Sequence, residues 1–206
     1  MVNRVAAQTA QDEWQDPFRP TEPGSDSFTD MIDALRRVQE AATRSNPSES
    51  VAVEVRETLD RVTQLLSPFE VAESDQVAGK YWRIAGRGQA LAPVLHIDSV
   101  GPDSAIGHVE VGRFFSGRHA LNGGVTPLIF DEMLSRFANT LGINFCRTAY
   151  LNVSYRSLGP LSTSMTVRCA VERVVGRKRF VRGTMTVGST LIASCEGLWI
   201  EVREEQ

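Results

Sequence analysis

Cysteine is scarce in this sequence. Cys146, Cys169 and Cys195 are the only three among 206 residues, and no two stand as Cys-x-x-Cys. An odd number at wide spacing gives no disulfide framework and reads as small, reduced core residues of a cytoplasmic chain. Histidine is equally scarce. His96 and His108 fall on strand-like segments with no further ligand residue spaced beside them, so no metal is expected. No stretch approaches the ~20 apolar residues that cross a bilayer, so no membrane span is expected. Residues 1–26 carry Asp12, Glu13, Asp16 and Glu22 but no apolar run, which reads as a flexible segment rather than a secretory signal, with Trp14 and Phe18 as docking candidates. A surplus of positive charge is lacking too. Lys and Arg number 22 against 25 Asp and Glu, a net charge of -3 that argues against nucleic acid as partner. A small anionic ligand needs only a local basic cluster and stays open. What is present is a 42% hydrophobic, 23% charged chain, the make-up of one globular domain with an appendage.

The appendage is helical. Phe28, Met31, Ile32, Leu35 and Val38 recur at three- and four-residue steps, with Ser27 as the expected N-cap. A second helix is expected to open at Asn46-Pro47-Ser48-Glu49, with Asn46 as cap, Pro47 in the first position and Glu49 completing a capping box. Val51, Val55, Leu59, Val62 and Leu66 form its stripe, and Ser67-Pro68 ends it. The spacing predicts a helical hairpin over 27–67, within an extension of 27–75, whose stripes pack on each other or on the next domain.

Period-two segments follow. Leu95, Ile97 and Ser99 alternate with His96 and Asp98, and Val109 and Val111 continue the pattern. After a loop from Gly112 to Gly124, a helix is expected over about 125–141, with Val125, Leu128, Leu134, Phe137 and Leu141 on its buried face. Glu132 and Arg136 are expected to pair in solvent on the other side. Four strands then follow, led by Leu151-Val153-Tyr155, Val167-Cys169-Val171, Val181-Met185-Val187 and Ile192-Leu198-Ile200, with hairpin turns at Gly176 and Gly188-Ser189. Two strands, one long helix and four strands make an α+β domain, an antiparallel sheet with one helix on its face.

Chemistry concentrates in Leu121-Asn122-Gly123-Gly124-Val125-Thr126-Pro127-Leu128-Ile129-Phe130-Asp131-Glu132. Two glycines before a helix let a ligand approach the backbone. Free N–H groups at the helix start can hold an oxygen that becomes negative during reaction. Asp131 sits two turns further along, on the border of the apolar stripe, where partial desolvation raises the basicity of a carboxylate. On local pattern alone, an Asp paired with Arg136 or Arg147 explains the residue equally well.

The whole run resembles the hot-dog fold acyl-CoA thioesterases of the phenylacetate-pathway and 4-hydroxybenzoyl-CoA thioesterase type. Their His-Gly-Gly is followed nine positions after the His by an Asp on the central helix, as Asn122 is followed by Asp131 here. Arg147 to Arg156 and Gly176-Arg177-Lys178-Arg179-Phe180 resemble the strand and hairpin that follow. The resemblance implies a hot-dog domain over 80–203, a sheet wrapped around one long central helix. It implies hydrolysis of an acyl-CoA thioester with Asp131 as base or nucleophile. The Gly124 amide, with Gly123, is then the oxyanion donor, Asn122 orients the substrate, and Thr148 of a neighbouring subunit supports the water. It also implies a homodimer or dimer of dimers, and no cofactor beyond coenzyme A as part of the substrate. Arg156, Arg177, Lys178 and Arg179 are the candidates for its phosphates, and His119 is a candidate to fill the place of the family His. Asn122 departs from the pattern, since an Asn donates a hydrogen bond but carries no titrating proton. A non-hydrolytic acyl-CoA or lipid-binding protein is therefore the competing reading. A hot-dog enoyl-CoA hydratase ranks last, because the helix after Gly124 contains no His.

Overall fold

In the computed structural model the chain is described over residues 26–81, 84–142 and 144–202. Trp14, Phe18 and the segment before Asp26 lie outside the described residues. Among the described residues three α-helices, α1 (Asp26–Arg44), α2 (Glu49–Leu66) and α3 (Val125–Ala138), accompany six strands. These are β1 (Leu95–Val100), β2 (Ser104–Val109), β3 (Cys146–Tyr155), β4 (Met165–Val175), β5 (Lys178–Val187) and β6 (Thr190–Glu201). All pair antiparallel in the order β1-β2-β4-β5-β6-β3. β3 enters the sheet from across the helix and takes one edge.

Alternation sets the inner face. Met165, Val167 and Cys169 of β4, Val181 and Met185 of β5, and Ala193, Cys195 and Trp199 of β6 are all buried. Against them lie Ile129, Phe130, Met133, Leu134 and Phe137 of α3, each 1% exposed or less. The helix comes so close to β5 that a Cβ on Gly183 would stand 2.8 Å from Leu134 Cδ1, so only glycine fits there. Nine of the fourteen residues of α3 are buried, more than one amphipathic stripe provides. A second cover explains this. The short 3₁₀ turn Ala85–Gly88 brings Arg87 onto the helix, where its guanidinium pairs with Glu132. Glu132 and Arg136, expected in solvent, are therefore buried at 8% and 6% exposure, 3.6 Å apart.

The helical appendage differs from expectation in detail. α1 already includes Ser27, and α2 is capped by Ser48, whose Oγ accepts from Val51 N–H. Ser48 holds an acceptor three residues ahead of that N–H, the geometry of an N-cap, and this places Asn46 outside the helix. The two stripes do not close on each other. α1 turns Ile32 inward at 8% exposure, while α2 has no buried residue.

Polar clamps dock α1. Arg36 donates to the carbonyls of Gly86 and Gln89, and pairs with Asp33. Glu40 receives Arg113 N–H at 3.0 Å and Phe114 N–H at 2.9 Å. Its approach requires Gly112, where any Cβ would collide with the carboxylate. The Phe114 N–H holds the Glu40 carboxyl below its ordinary 4.5, against burial and with help from Arg113 N–H and the Arg44 charge. With the folded value depressed, this clamp stabilises fully above pH 4.5 and is lost as pH falls through the folded value. Glu40→Ala is expected to speed hydrogen exchange of α1 amides about tenfold or more at pH 7, the state that the wild type reaches only in acid. Unchanged protection of α1 in the variant would refute the clamp.

Candidate active site

Asp131 lies half-buried in the middle of α3. Its Oδ1 accepts from Thr148 Oγ1 at 2.9 Å and from Ser135 Oγ at 3.1 Å. Ser135 Oγ in turn accepts from the indole Nε1–H of Trp199 at 2.8 Å. One carboxylate oxygen is thus fixed by a chain running from the buried Trp199 through Ser135. Among the described residues no donor reaches Oδ2. A cavity of about 220 Å³ opens beside the carboxylate, lined among others by Ser135, Thr148, Phe145 and Arg147.

Two features of β3 bring Thr148 there. Asn139, 4% exposed, ends α3 and also receives Cys146 N–H at 2.7 Å on its Oδ1, which ties the first residue of β3 to the helix. A bulge between Thr148 and Tyr150 then resets the alternation, so that Thr148 opposite Trp199 and Leu151 opposite Gly197 both face the helix. Thr148 meets Asp131 of its own chain, where the resemblance implied a hydroxyl supplied by a neighbouring subunit.

The other end of β3 holds the helix start. Tyr155 O–H donates to Gly123 C=O at 2.5 Å. Asn122, Gly123 and Gly124 are exposed. Asn122 N–H donates to Phe115 C=O, and the Asn122 Oδ1 accepts the Gly124 N–H at 2.8 Å. The amide expected to polarise a substrate is thus engaged by the side chain of Asn122, in an Asx turn.

The cations divide. Arg156 follows Tyr155 and lies at the Gly123 end, exposed. Arg177 donates to Glu201 C=O at 2.8 Å, and Lys178 is exposed at the start of β5. Arg179 is corrected outright. It is 1% exposed, paired with Glu201, and donates to Ala138 C=O at the C-terminus of α3, so it is a core residue and not a phosphate ligand. His119 sits exposed at φ 74° in the tight turn Gly117–Ala120, and among the described residues it makes no hydrogen bond to Asp131 or Asn122. His96 and His108 stack across β1 and β2 at 4.9 Å, with His108 Nδ1 2.7 Å from Asp98, and among the described residues no group of three potential ligands could hold a metal. Burial pushes the Cys146 thiol up to about 11 and those of Cys169 and Cys195 up to about 12, so none is a thiolate nucleophile at neutral pH. Ser135 escaped the sequence reading although it lies one turn beyond Asp131 on the same face, a spacing that could have found it. Nothing in the sequence pointed to Arg87 or Trp199.

No family model and no curated protein matches the sequence. Solved structures do. A thioesterase superfamily protein, RHA08564, superposes with a TM-score of 0.74 at 25% identity, over 88% of this chain and 94% of its own. The fold is the hot-dog fold of the thioesterase superfamily. The protein smu.793 of Streptococcus mutans, bound to acetyl-CoA, aligns at TM-score 0.50 and 14% identity over 54% of this chain and 91% of its own. A hypothetical thioesterase of Streptococcus pneumoniae with coenzyme A aligns at TM-score 0.50 and 11% identity over the same shares. The RHA08564 match exceeds what residues 80–206 can supply, so it takes in part of the helical appendage as well as the hot-dog domain. No described helix is long and apolar enough to cross a membrane.

Ser135→Ala is expected to strand the fully buried indole N–H of Trp199 and to lower unfolding free energy by about 1–3 kcal/mol. Thr148→Val, at an exposed position, should cost less. Equal losses for the two in denaturant unfolding would show that the Trp199 bond carries no weight.

Proposed function

We propose that this chain hydrolyses an acyl-CoA thioester to the free acid and coenzyme A. The observation that carries the reading is the oriented carboxylate: Asp131 Oδ1 is held by two hydroxyls, no donor among the described residues holds Oδ2, and Asp131 lines an open cavity. Asp131 is the base or nucleophile. In the base route Oδ2 takes a proton from water as the water oxygen adds to the thioester carbonyl. The tetrahedral oxyanion is held by an exposed helix-start N–H, Gly124 with Gly123. The C–S bond then breaks, the thiolate of coenzyme A leaves, and the proton returns to it. Thr148 and Ser135 keep the carboxylate aimed. Arg156, at the Gly123 end, with Arg177 and Lys178 further off, are the surface cations offered to the phosphates. The acetyl-CoA and coenzyme A held by the two streptococcal fold neighbours support this ligand class.

Assembly follows from distance. Asp131 lies seven residues beyond Gly124, about 10 Å along the helix axis. A carbonyl cannot touch both, because reacting atoms must come within about 3–3.5 Å. This supports a composite site in which Asp131 of one subunit works with Gly124 of another, as a homodimer or a dimer of dimers. The ten-residue edge of β3 is the surface offered for it. Three buried, reduced thiols fit a cytoplasmic setting.

A second reading has one specific observation behind it. Asn122 already occupies the Gly124 N–H, which suits a protein that holds an acyl-CoA or lipid without hydrolysing it.

The two readings part in one experiment, thiol release over a panel of acyl-CoAs with parallel binding of a non-hydrolysable analogue. Asp131→Asn should lower turnover at least about a hundredfold and leave analogue binding nearly unchanged. Asn122→His should keep or raise turnover, with any gain titrating near pH 6.5. Asn122→Asp, which sets a fixed negative charge beside the developing oxyanion, should lower it. Hydrolysis untouched in Asp131→Asn would dismiss the assigned site. Tight binding without hydrolysis in the wild type, with activity gained in Asn122→His, would establish the binding protein.

A further inference from the structure

Among the described residues, the second helix of the appendage buries no side chain against its own chain. None of the eighteen residues of α2 is buried. Val55, Leu59, Val62 and Leu66 are 46%, 40%, 46% and 44% exposed, and Phe69 beyond the helix is 75% exposed. A single helix of this length is marginal in water, so its apolar stripe needs a cover. The sequence itself indicates which one. Ala52, Val55, Leu59, Val62, Leu66 and Phe69 step by three and four residues, the a and d positions of a heptad seam.

The seam is self-complementary about its own midpoint. Reversed on itself, it sets Leu59 against Val62, Val55 against Leu66 and Ala52 against Phe69, apolar on apolar in every layer. The positions flanking its centre are Thr58 and Leu65 on one side and Arg56 and Thr63 on the other, so no like charges face each other there. Glu54, Glu57, Asp60 and Arg61 all fall on the opposite face. We propose that α2 is a self-association surface. It pairs antiparallel with α2 of a second copy across a two-fold axis near Leu59 and Val62, an interface separate from the β3 edge and from the proposed chemistry. Covering the exposed apolar side chains on both copies removes on the order of 1,000 Å² from water, above most packing contacts and near the lower limit for a stable pair.

The test uses the full-length chain and does not depend on catalysis. In sedimentation velocity from 1 to 100 µM, Leu59→Glu with Val62→Glu should weaken self-association at least tenfold. Single cysteines fix the geometry independently of that variant's folding, since the native thiols are buried. Leu59→Cys mixed with Val62→Cys should cross-link under mild oxidation. Val55→Cys should not cross-link to itself, because the antiparallel register holds the two copies of that residue about 16 Å apart. An unchanged assembly in the double glutamate variant would overturn the proposal, as would a failure of the 59–62 cross-link or self-linking of Val55→Cys.

Discussion

The side chain of Asn139 belongs to two elements at once. Its amide N–H₂ donates to Ser135 C=O in the last turn of α3, and its Oδ1 receives the N–H of Cys146 at the start of β3. Buried, it cannot exchange either bond for water without loss. The strand that crosses from the helix to the far edge of the sheet is therefore fixed in register from its first residue. Every β3 side chain at the candidate site inherits that register: Thr148 two residues on, at the Asp131 carboxylate, and Tyr155 at the other end, at the Gly123 carbonyl. A shift of one residue would turn each of these side chains to the opposite face. The carboxylate, its hydroxyl partners and the helix start are held by one strand pinned to α3 near both ends.

Charge is placed around α3 under the same constraint. A helix buried on two sides carries Glu132 and Arg136 into the core, where unpaired charges are costly. Arg87 meets Glu132 from the 3₁₀ turn, and α1 grips that same turn through Arg36. The appendage is thus coupled to α3 through a short polar relay. At the C-terminus of the helix, Arg179 lies against the last carbonyl of α3, where the helix dipole favours a cation, and Glu201 balances it. These arginines serve the fold. The surface cations left for a phosphate group are correspondingly few.

Much of this could be read from residue spacing. Period-two alternation gave the strands, and the Gly-Gly followed by a helix with Asp131 gave the centre of the candidate site. Arg179 was also legible, since it shares parity with Val181 and Met185 and so falls on the inner face of β5. Its position beside Arg177 and Lys178 suggested a surface cluster instead. Thr148 on the inner face was not legible from period alone. It is out of phase with Leu151, Val153 and Tyr155, and only the bulge at Ala149 brings it round. Glu132 and Arg136 looked solvated because nothing in the pattern announces that residues 85–88 fold back over the helix. The appendage differed for another reason: α1 meets the domain through Ile32 and polar clamps, while the stripe of α2 has no buried residue and packs on no stripe of α1.

The departure at residue 122 takes a definite physical form. Asn122 does not leave the helix start open; its carbonyl oxygen satisfies the Gly124 N–H that a thioester oxygen would need. A substrate must break that bond to use the amide, and it replaces one neutral hydrogen bond with another. The net worth of such a bond is about 0.5–1.5 kcal/mol, a factor of a few to about tenfold in rate. In the proposed mechanism the carboxylate would contribute far more, about 10²–10⁴ for general-base catalysis. The oxyanion gains charge in the transition state and so competes for the N–H better than the ground-state carbonyl does, which places the advantage where it accelerates reaction. By these magnitudes, in the proposed hydrolysis an Asn in place of the family His slows entry to the amide without removing the chemistry, which that proposal assigns to the oriented Asp131.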